Sequence, residues 1–282
     1  MSASPSTSVQ AARKAVADRL REIRKDAGLS GQAVADATGW YKSKVSRLEN
    51  AVTPPSDDDI RAWCAACKAA GEAADLIAAS RSAETMYIEW RRLQRTGMRR
   101  LQESYVPLFE RTRTFRVYCS NVVPGLLQTD EYARALLGSI TAFRNAPNDV
   151  SEAVEARLKR SNVIRQGDHR FALLVEESVL RHRVGGPATM AGQLGHLLSV
   201  MALPAVSLGV IPFTADRRMW MLETFSIYDE VQAQVELLTA QVNVTAPSEV
   251  HDYLKAFREF SKLAVYGADA RALITRAIDA LR

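Results

Sequence analysis

The chain has 282 residues, with 37 Lys and Arg against 32 Asp and Glu, a net charge of +5 and an isoelectric point near 9.2. With 47% apolar and 24% charged residues, it has the composition of an ordinary globular protein, which excludes collagenous, disulfide-framework and intrinsically disordered classes. The basic excess accommodates a polyanionic partner without demanding one.

In chain order, the polar opening MSASPSTSVQ has no apolar secretory core and reads as a disordered tail over residues 1–10. A helix is predicted from about Ala11 to Ala27, because Val16, Leu20, Ile23 and Ala27 recur at three-to-four-residue spacing while Arg13, Lys14, Arg19, Arg21 and Lys25 fill much of the rest. Gly28 ends it, since glycine adopts a left-handed conformation most cheaply. Ser30 caps a second helix that carries Val34 and Ala35 inward, and Gly39 makes the turn to a third, from Tyr41 or Lys42 to Asn50.

The third helix has Val45 and Leu48 on its inward side. Ser43, Ser46, Arg47 and Asn50 fall opposite, flanked by Lys42 and Lys44. Hydroxyls exchange hydrogen bonds with base edges, a guanidinium fits guanine O6 and N7 bidentately, and an ammonium binds guanine or phosphate. Two short helices joined by a tight turn, the second bearing these groups, is how a protein reads the major groove of DNA.

Pro54-Pro55-Ser56-Asp57 is a loop that opens another helix, whose first turn suits Asp58 and Asp59. Within it Ile60, Trp63 and Cys67 pack inward, and the Cys64–Cys67 spacing, with no second pair and no nearby His, reads as small core hydrophobes rather than metal ligands. The DNA-binding domain is expected to span residues 11–70.

A helical connector is expected over residues 71–112, punctuated by Trp90, Leu93, Leu101, Val106 and Leu108. Nine Arg stand against four Glu between Arg81 and Arg116, an excess equal to that of the whole chain. This reads as a solvated connector face, with a second phosphate-contacting surface or a docking face for an acidic partner as alternatives.

Residues 113–282 mix strands and helices. Strands are predicted over Thr114–Ser120, Phe171–Val175, Val206–Ile211, Glu223–Tyr228 and Gln232–Leu238, the last two forming a hairpin around Asp229-Glu230. Helices are predicted over Asp130–Ala142, Val150–Gln166, Pro187–Met201, Pro247–Val265 and Ala268–Leu281. In NVVPGLLQTDEYARALL, Pro124-Gly125 makes a turn, Leu126 and Leu127 are a buried pair, and Thr129 caps a helix. Those roles account for every residue of the segment, and a partner groove or effector pocket is the alternative. Glu176 and Glu177, next to a strand end, read as surface residues, and His182-Arg183 before Gly185-Gly186 as a loop with an exposed flank. No HExxH, GxGxxG, Walker-type loop or GxSxG elbow occurs, so no catalytic residues, cofactor or metal are expected.

Gly28-Leu29-Ser30, Ala35, Gly39 and Ser43-Lys44-Val45-Ser46-Arg47-Leu48-Glu49-Asn50 together resemble the lambda-repressor and Cro type of helix-turn-helix, the xenobiotic-response-element type. The resemblance implies that Lys42, Ser43, Ser46 and Arg47 read bases, and that Ser30, Gln32, Tyr41, Lys44 and Asn50 hold phosphates. It implies a structural ion pair between Arg24 and Glu49. Many members carry Gln right after the Ser that opens the second helix; here Gly31 stands there and the amide is displaced to Gln32.

VPGLLQTDEYARA, EESVLRHRVGG and the strand ending Val210-Ile211-Pro212 resemble actinomycete helix-turn-helix regulators of an antitoxin-like kind. That resemblance implies a homodimer on an inverted repeat of double-stranded DNA, and a small partner protein encoded nearby. Two alternatives stand beside it: a C-terminal domain that senses a small molecule, and a protein-interaction antitoxin with little DNA binding. The expectation is a cytoplasmic, non-enzymatic protein with no membrane partner. Its fold is expected to be a mainly α helix-turn-helix domain followed by an α+β domain, whose mostly antiparallel sheet is flanked by helices.

Overall fold

The computed structural model describes residues 5–82, 87–89, 95 and 97–281. It divides into two compact units, one of residues 1–87 with 243–250, the other of residues 88–242 with 251–282. Among the described residues no helix is long and apolar enough to cross a membrane.

The first unit is helical: α1 (Pro5–Asp26), α2 (Gly31–Thr38), α3 (Lys42–Glu49), α4 (Asp57–Ala66) and α5 (Ala73–Ser82). Val16, Leu20 and Ile23 of α1 meet Val34, Ala35, Val45, Leu48, Ile60 and Trp63 in one core. Fully burying each large side chain contributes roughly 1.5–3 kcal/mol. Trp63, wholly buried, keeps its polar end satisfied by donating from Nε1 to the Leu20 carbonyl at 3.0 Å. Cys64 and Cys67 lie in this core, and burial pushes both thiols up, Cys64 to about 11. The start of α4 is held by a capping box, in which Ser56 Oγ accepts from Asp59 N and Asp59 Oδ2 accepts from Ser56 N.

Three boundaries differ from expectation. Helix α1 begins at Pro5, inside the segment read as a disordered tail; proline suits a first helical turn, where its missing N–H would have no partner anyway. Ala27 is exposed beyond the end of α1, because Gly28, at φ 67°, turns the chain away. The core also continues past Ala70, where the domain was expected to close, to take in Leu76 and Ile77 of α5.

The second unit is α+β, as expected. The strands are β1 (Tyr87–Glu89), β2 (Thr114–Cys119), β3 (Arg170–Glu176), β4 (Val206–Ile211), β5 (Phe225–Tyr228), β6 (Gln232–Glu236) and β7 (Ala240–Val244), in the spatial order β1-β7-β6-β5-β2-β3-β4. The helices are α6 (Met98–Ser104), α7 (Val106–Arg111), α8 (Asp130–Arg144), α9 (Val150–Ser161), α10 (Glu177–Arg181), α11 (Pro187–Val200), α12 (Pro247–Leu263) and α13 (Gly267–Asp279).

The sheet is mixed. Strand β2 pairs antiparallel with β5, and β5 with β6, forming the hairpin expected around Asp229-Glu230. On its other edge β2 pairs parallel with β3, and β3 with β4. The parallel trio was not legible as such: β3 reads FALLVE, nearly all buried, the continuous apolar run of a strand covered on both faces. Phe115 stacks on Phe171 in the adjacent strand at 4.7 Å, and Tyr118 stacks on Phe260 of α12 at 4.3 Å.

Strand β1 falls within the stretch expected to be a helical connector, and β7 was not foreseen. Helix α9 stops at Ser161, and a 3₁₀ turn from Asn162 to Arg165 completes the expected segment. Trp90 and Leu93, expected to punctuate the connector, lie outside the described residues. Glu176 and Glu177 are buried rather than on the surface. Glu176 accepts from Tyr118 Oη at 2.8 Å and pairs with Arg217, and Glu177 accepts from the Phe213 N–H at 3.0 Å. A buried carboxylate persists where such donors compensate its lost hydration. His182 and Arg183 are exposed, as expected.

Candidate nucleic-acid interface

Helix α2 starts where Ser30 Oγ accepts from Ala33 N at 3.1 Å and stops where Gly39, at φ 71°, donates its N–H to the Ala35 carbonyl. This left-handed residue makes the tight turn into α3. Val45 and Leu48 are buried under α3, which orients the opposite side outward. Lys42, Ser43, Ser46 and Arg47 are all exposed. Eight helical residues extend about 12 Å, comparable with the width of a B-DNA major groove.

Within that face the side chains differ in freedom. Lys42, Ser43 and Arg47 have no hydrogen-bond or ion-pair partner among the described residues. Ser46 Oγ accepts from Asn50 Nδ2 at 3.3 Å, leaving its own O–H free to donate. At the N-cap, Tyr41 is 86% exposed and its side chain makes no cap bond. The first N–H groups of α3 are therefore open to a phosphate oxygen, and the helix dipole favours one there.

Two of the residues expected to hold phosphates have partners within the unit. Lys44 Nζ lies 2.6 Å from Asp59 Oδ1 and 4.1 Å from the centroid of the Trp40 ring, so its charge is compensated inside the unit. Asn50 is committed as well: Nδ2 donates to the Ser46 carbonyl at 2.7 Å, and Oδ1 accepts from Arg21 Nη2 at 3.0 Å. It closes the C-terminus of α3, whose last carbonyls lack helical partners. Ser30 and Gln32 are exposed at the start of α2; Gln32 Nε2 donates to Asp36 Oδ1 at 2.8 Å.

The expected ion pair is present, with Arg24 Nε 2.5 Å from Glu49 Oε1 and both side chains largely buried. Arg24 also donates to the Leu29 carbonyl at 2.7 Å, and so holds the loop into α2. Sequence reasoning missed Arg21, placed on the solvated side of α1. It is half-buried and donates to the Glu49 carbonyl at 2.5 Å, bracing the end of α3. The available signal was its position one turn from Arg24 on the same helix, where both can reach the carboxylate at 49.

In the second unit the VPGLLQT segment is bound into its surroundings. Leu127 is fully buried, Gln193 Nε2 donates to its carbonyl at 2.7 Å, and Gln193 Oε1 accepts from Thr129 N at 2.8 Å. Gln128 Nε2 donates to the Val123 carbonyl at 2.8 Å, while its Oε1 accepts from Arg157 Nη1 at 2.5 Å.

Comparison with known families gives two matches. Residues 15–77 match a family described as "Helix-turn-helix domain", which spans α2, α3 and α4. Residues 102–276 match "Domain of unknown function (DUF5753)". No curated protein matches the chain.

Proposed function

From the chain's membership of the DUF5753 family, over more than half its length and with a helix-turn-helix domain ahead of it, we propose that it is a sequence-specific regulator of transcription. The helix-turn-helix domain supports a DNA-binding regulator. The observation that carries the finer reading is the outward face of α3, where Lys42, Ser43, Ser46 and Arg47 are exposed together above the buried Val45 and Leu48.

In this reading α3 enters the major groove. Arg47 and Lys42 contact purine edges, the serines make shorter contacts, and the N-terminus of α3 with Tyr41 meets the backbone. Two copies bind an inverted repeat whose half-sites lie about one helical turn, roughly 34 Å, apart. Phe213, Trp220 and Met221, all exposed on the second unit, favour a protein contact there, with a second copy or with a small partner protein. The protein needs no cofactor and catalyses no reaction; it acts by occupying DNA at a promoter, its own included.

Selection of bound fragments from the source genome tests this. An enriched motif with two-fold symmetry, bound in proportion to the square of protein concentration, supports it. Binding that is uniform across sequences, or absent at low salt, overturns it.

A further inference from the structure

We propose that the second unit holds a binding site for a small organic acid, a carboxylate on an apolar body, in the cavity walled by the VPGLLQT segment and by Arg157 and Arg160 of α9. The cavity measures about 330 Å³, within the roughly 300–1,000 Å³ range of small-molecule sites. Val123, Pro124, Gly125, Leu126 and Gln128 form one wall. The most distinctive stretch of the second unit is thus a binding wall as well as a turn and helix cap. Tyr105, Phe109, Phe115 and Tyr228 line the apolar part.

The charge of the lining points to an anion. Its charged side chains are Arg144, Arg157, Arg160 and Glu236, three cations against one carboxylate, and Glu236 is an exposed residue. Among the described residues neither Arg157 nor Arg160 has a carboxylate partner. Arg157 donates to two neutral amide oxygens, Gln102 Oε1 at 3.0 Å and Gln128 Oε1 at 2.5 Å. These hold the guanidinium in position without neutralising it.

Arg160 is the sharper case. Part of the residue reaches solvent, yet its Nε and Nη1 are buried with no hydrogen-bond partner. Tyr105 and Phe109 lie 4.6 and 4.9 Å from its Cζ, and their rings attract the cation but offer no oxygen lone pair. Burial lowers the pKa of both arginines, that of Arg157 to about 10, with the charge of Arg160 adding to the effect. Glu236 acts on both only through its field. Two adjacent desolvated guanidiniums with no hydrogen-bonded counter-anion among the described residues are costly, and an entering carboxylate would relieve that cost. A guanidinium is matched to planar oxyanions by its donor geometry, while the aromatic wall selects an apolar body over a hydrated ion.

Binding is independent of the DNA reading; only its regulatory consequence rests on it. The test therefore uses the full chain without DNA: thermal melting with straight-chain monocarboxylates from acetate to decanoate, with benzoate and 2-naphthoate, with the primary amide of each, and with inorganic phosphate. An apolar-bodied acid is expected to raise the Tm by roughly 5 °C or more at a hundredfold excess over its Kd, and its amide is not. Arg160→Gln should weaken that acid by about ten- to a hundredfold. The acid-against-amide comparison on the unaltered chain decides the matter even if the variant does not fold. The proposal is overturned if no acid in the series shifts the melt, if amide or phosphate binds as well as the best acid, or if a cooperatively melting Arg160→Gln chain binds it undiminished.

Discussion

Lys44 on α3 and Asp59 on α4 are joined at 2.6 Å, so a cation on the helix proposed to enter the major groove is held by a carboxylate of its own domain. Asp59 is also the third residue of the α4 capping box, which links the tilt of α3 to the start of α4. Lys44→Ala should lower stability by about 1 kcal/mol while leaving the salt dependence of DNA binding nearly unchanged. A slope of log K against log salt reduced by about 0.9, the loss of one phosphate contact, would instead return Lys44 to the DNA.

The same pair predicts a pH effect. Burial raises the Asp59 carboxyl, but the Lys44 ammonium and the Ser56 N–H and hydroxyl outweigh it, so its pKa lies below the ordinary value of 3.8. A depressed carboxyl contributes stability that is fully present above the unfolded pKa and lost as pH falls through the folded one. Asp59→Asn should therefore flatten the decline in urea midpoint below about pH 3.8, relative to the unaltered chain. An equally steep acid limb in the variant would contradict this.

Arg47 offers the cleanest test of base reading, because its guanidinium is exposed and has no partner among the described residues to lose. Arg47→Ala should cost about 1–3 kcal/mol on the specific site and relax preference at one base position, with the Tm unchanged. Binding profiles across a randomised site library measure it, and an identical profile rules out the role.

Glu49 supports that face from behind, accepting from Arg24 Nε at 2.5 Å in a largely buried position. Glu49→Ala leaves Arg24 and Arg21 facing each other without their shared carboxylate, at a cost of about 2–4 kcal/mol. Urea denaturation reads the loss; a change below about 0.5 kcal/mol, the scale of an ordinary surface substitution, would show that the pair carries little.

In the second unit Gln193 is fully buried and bonds both the Leu127 carbonyl and the Thr129 N–H. Gln193→Leu keeps the bulk but strands the buried Leu127 carbonyl and the part-buried Thr129 N–H, which should destabilise this unit by about 2–4 kcal/mol. Hydrogen exchange should show early opening at residues 127–129, and unchanged protection there would remove the bridge from the account.

The first unit was largely legible in the sequence. Its elements are local: Ser30 bonds a backbone N–H three residues on, Gly39 turns the chain at one residue, and Val45 and Leu48 orient α3 by periodicity. Which polar side chains on α3 are free was not legible, because Asp59 and Arg21 reach Lys44 and Asn50 from elsewhere in the chain.

The second unit divides in the same way. The α+β class, the hairpin at Asp229-Glu230 and most helix boundaries follow from period and turn chemistry, which are encoded within a few residues. Strand order, the parallel trio, the burial of Glu176 and the hydrogen bond of Arg157 to Gln128 depend on partners 29 positions away in the last case and further still in the others. Periodicity reports which face of an element avoids water, but not which element covers that face. Only the folded chain decides which buried charged groups meet a hydrogen-bonded counter-charge and which, like Nε and Nη1 of Arg160, have no hydrogen-bond partner among the described residues.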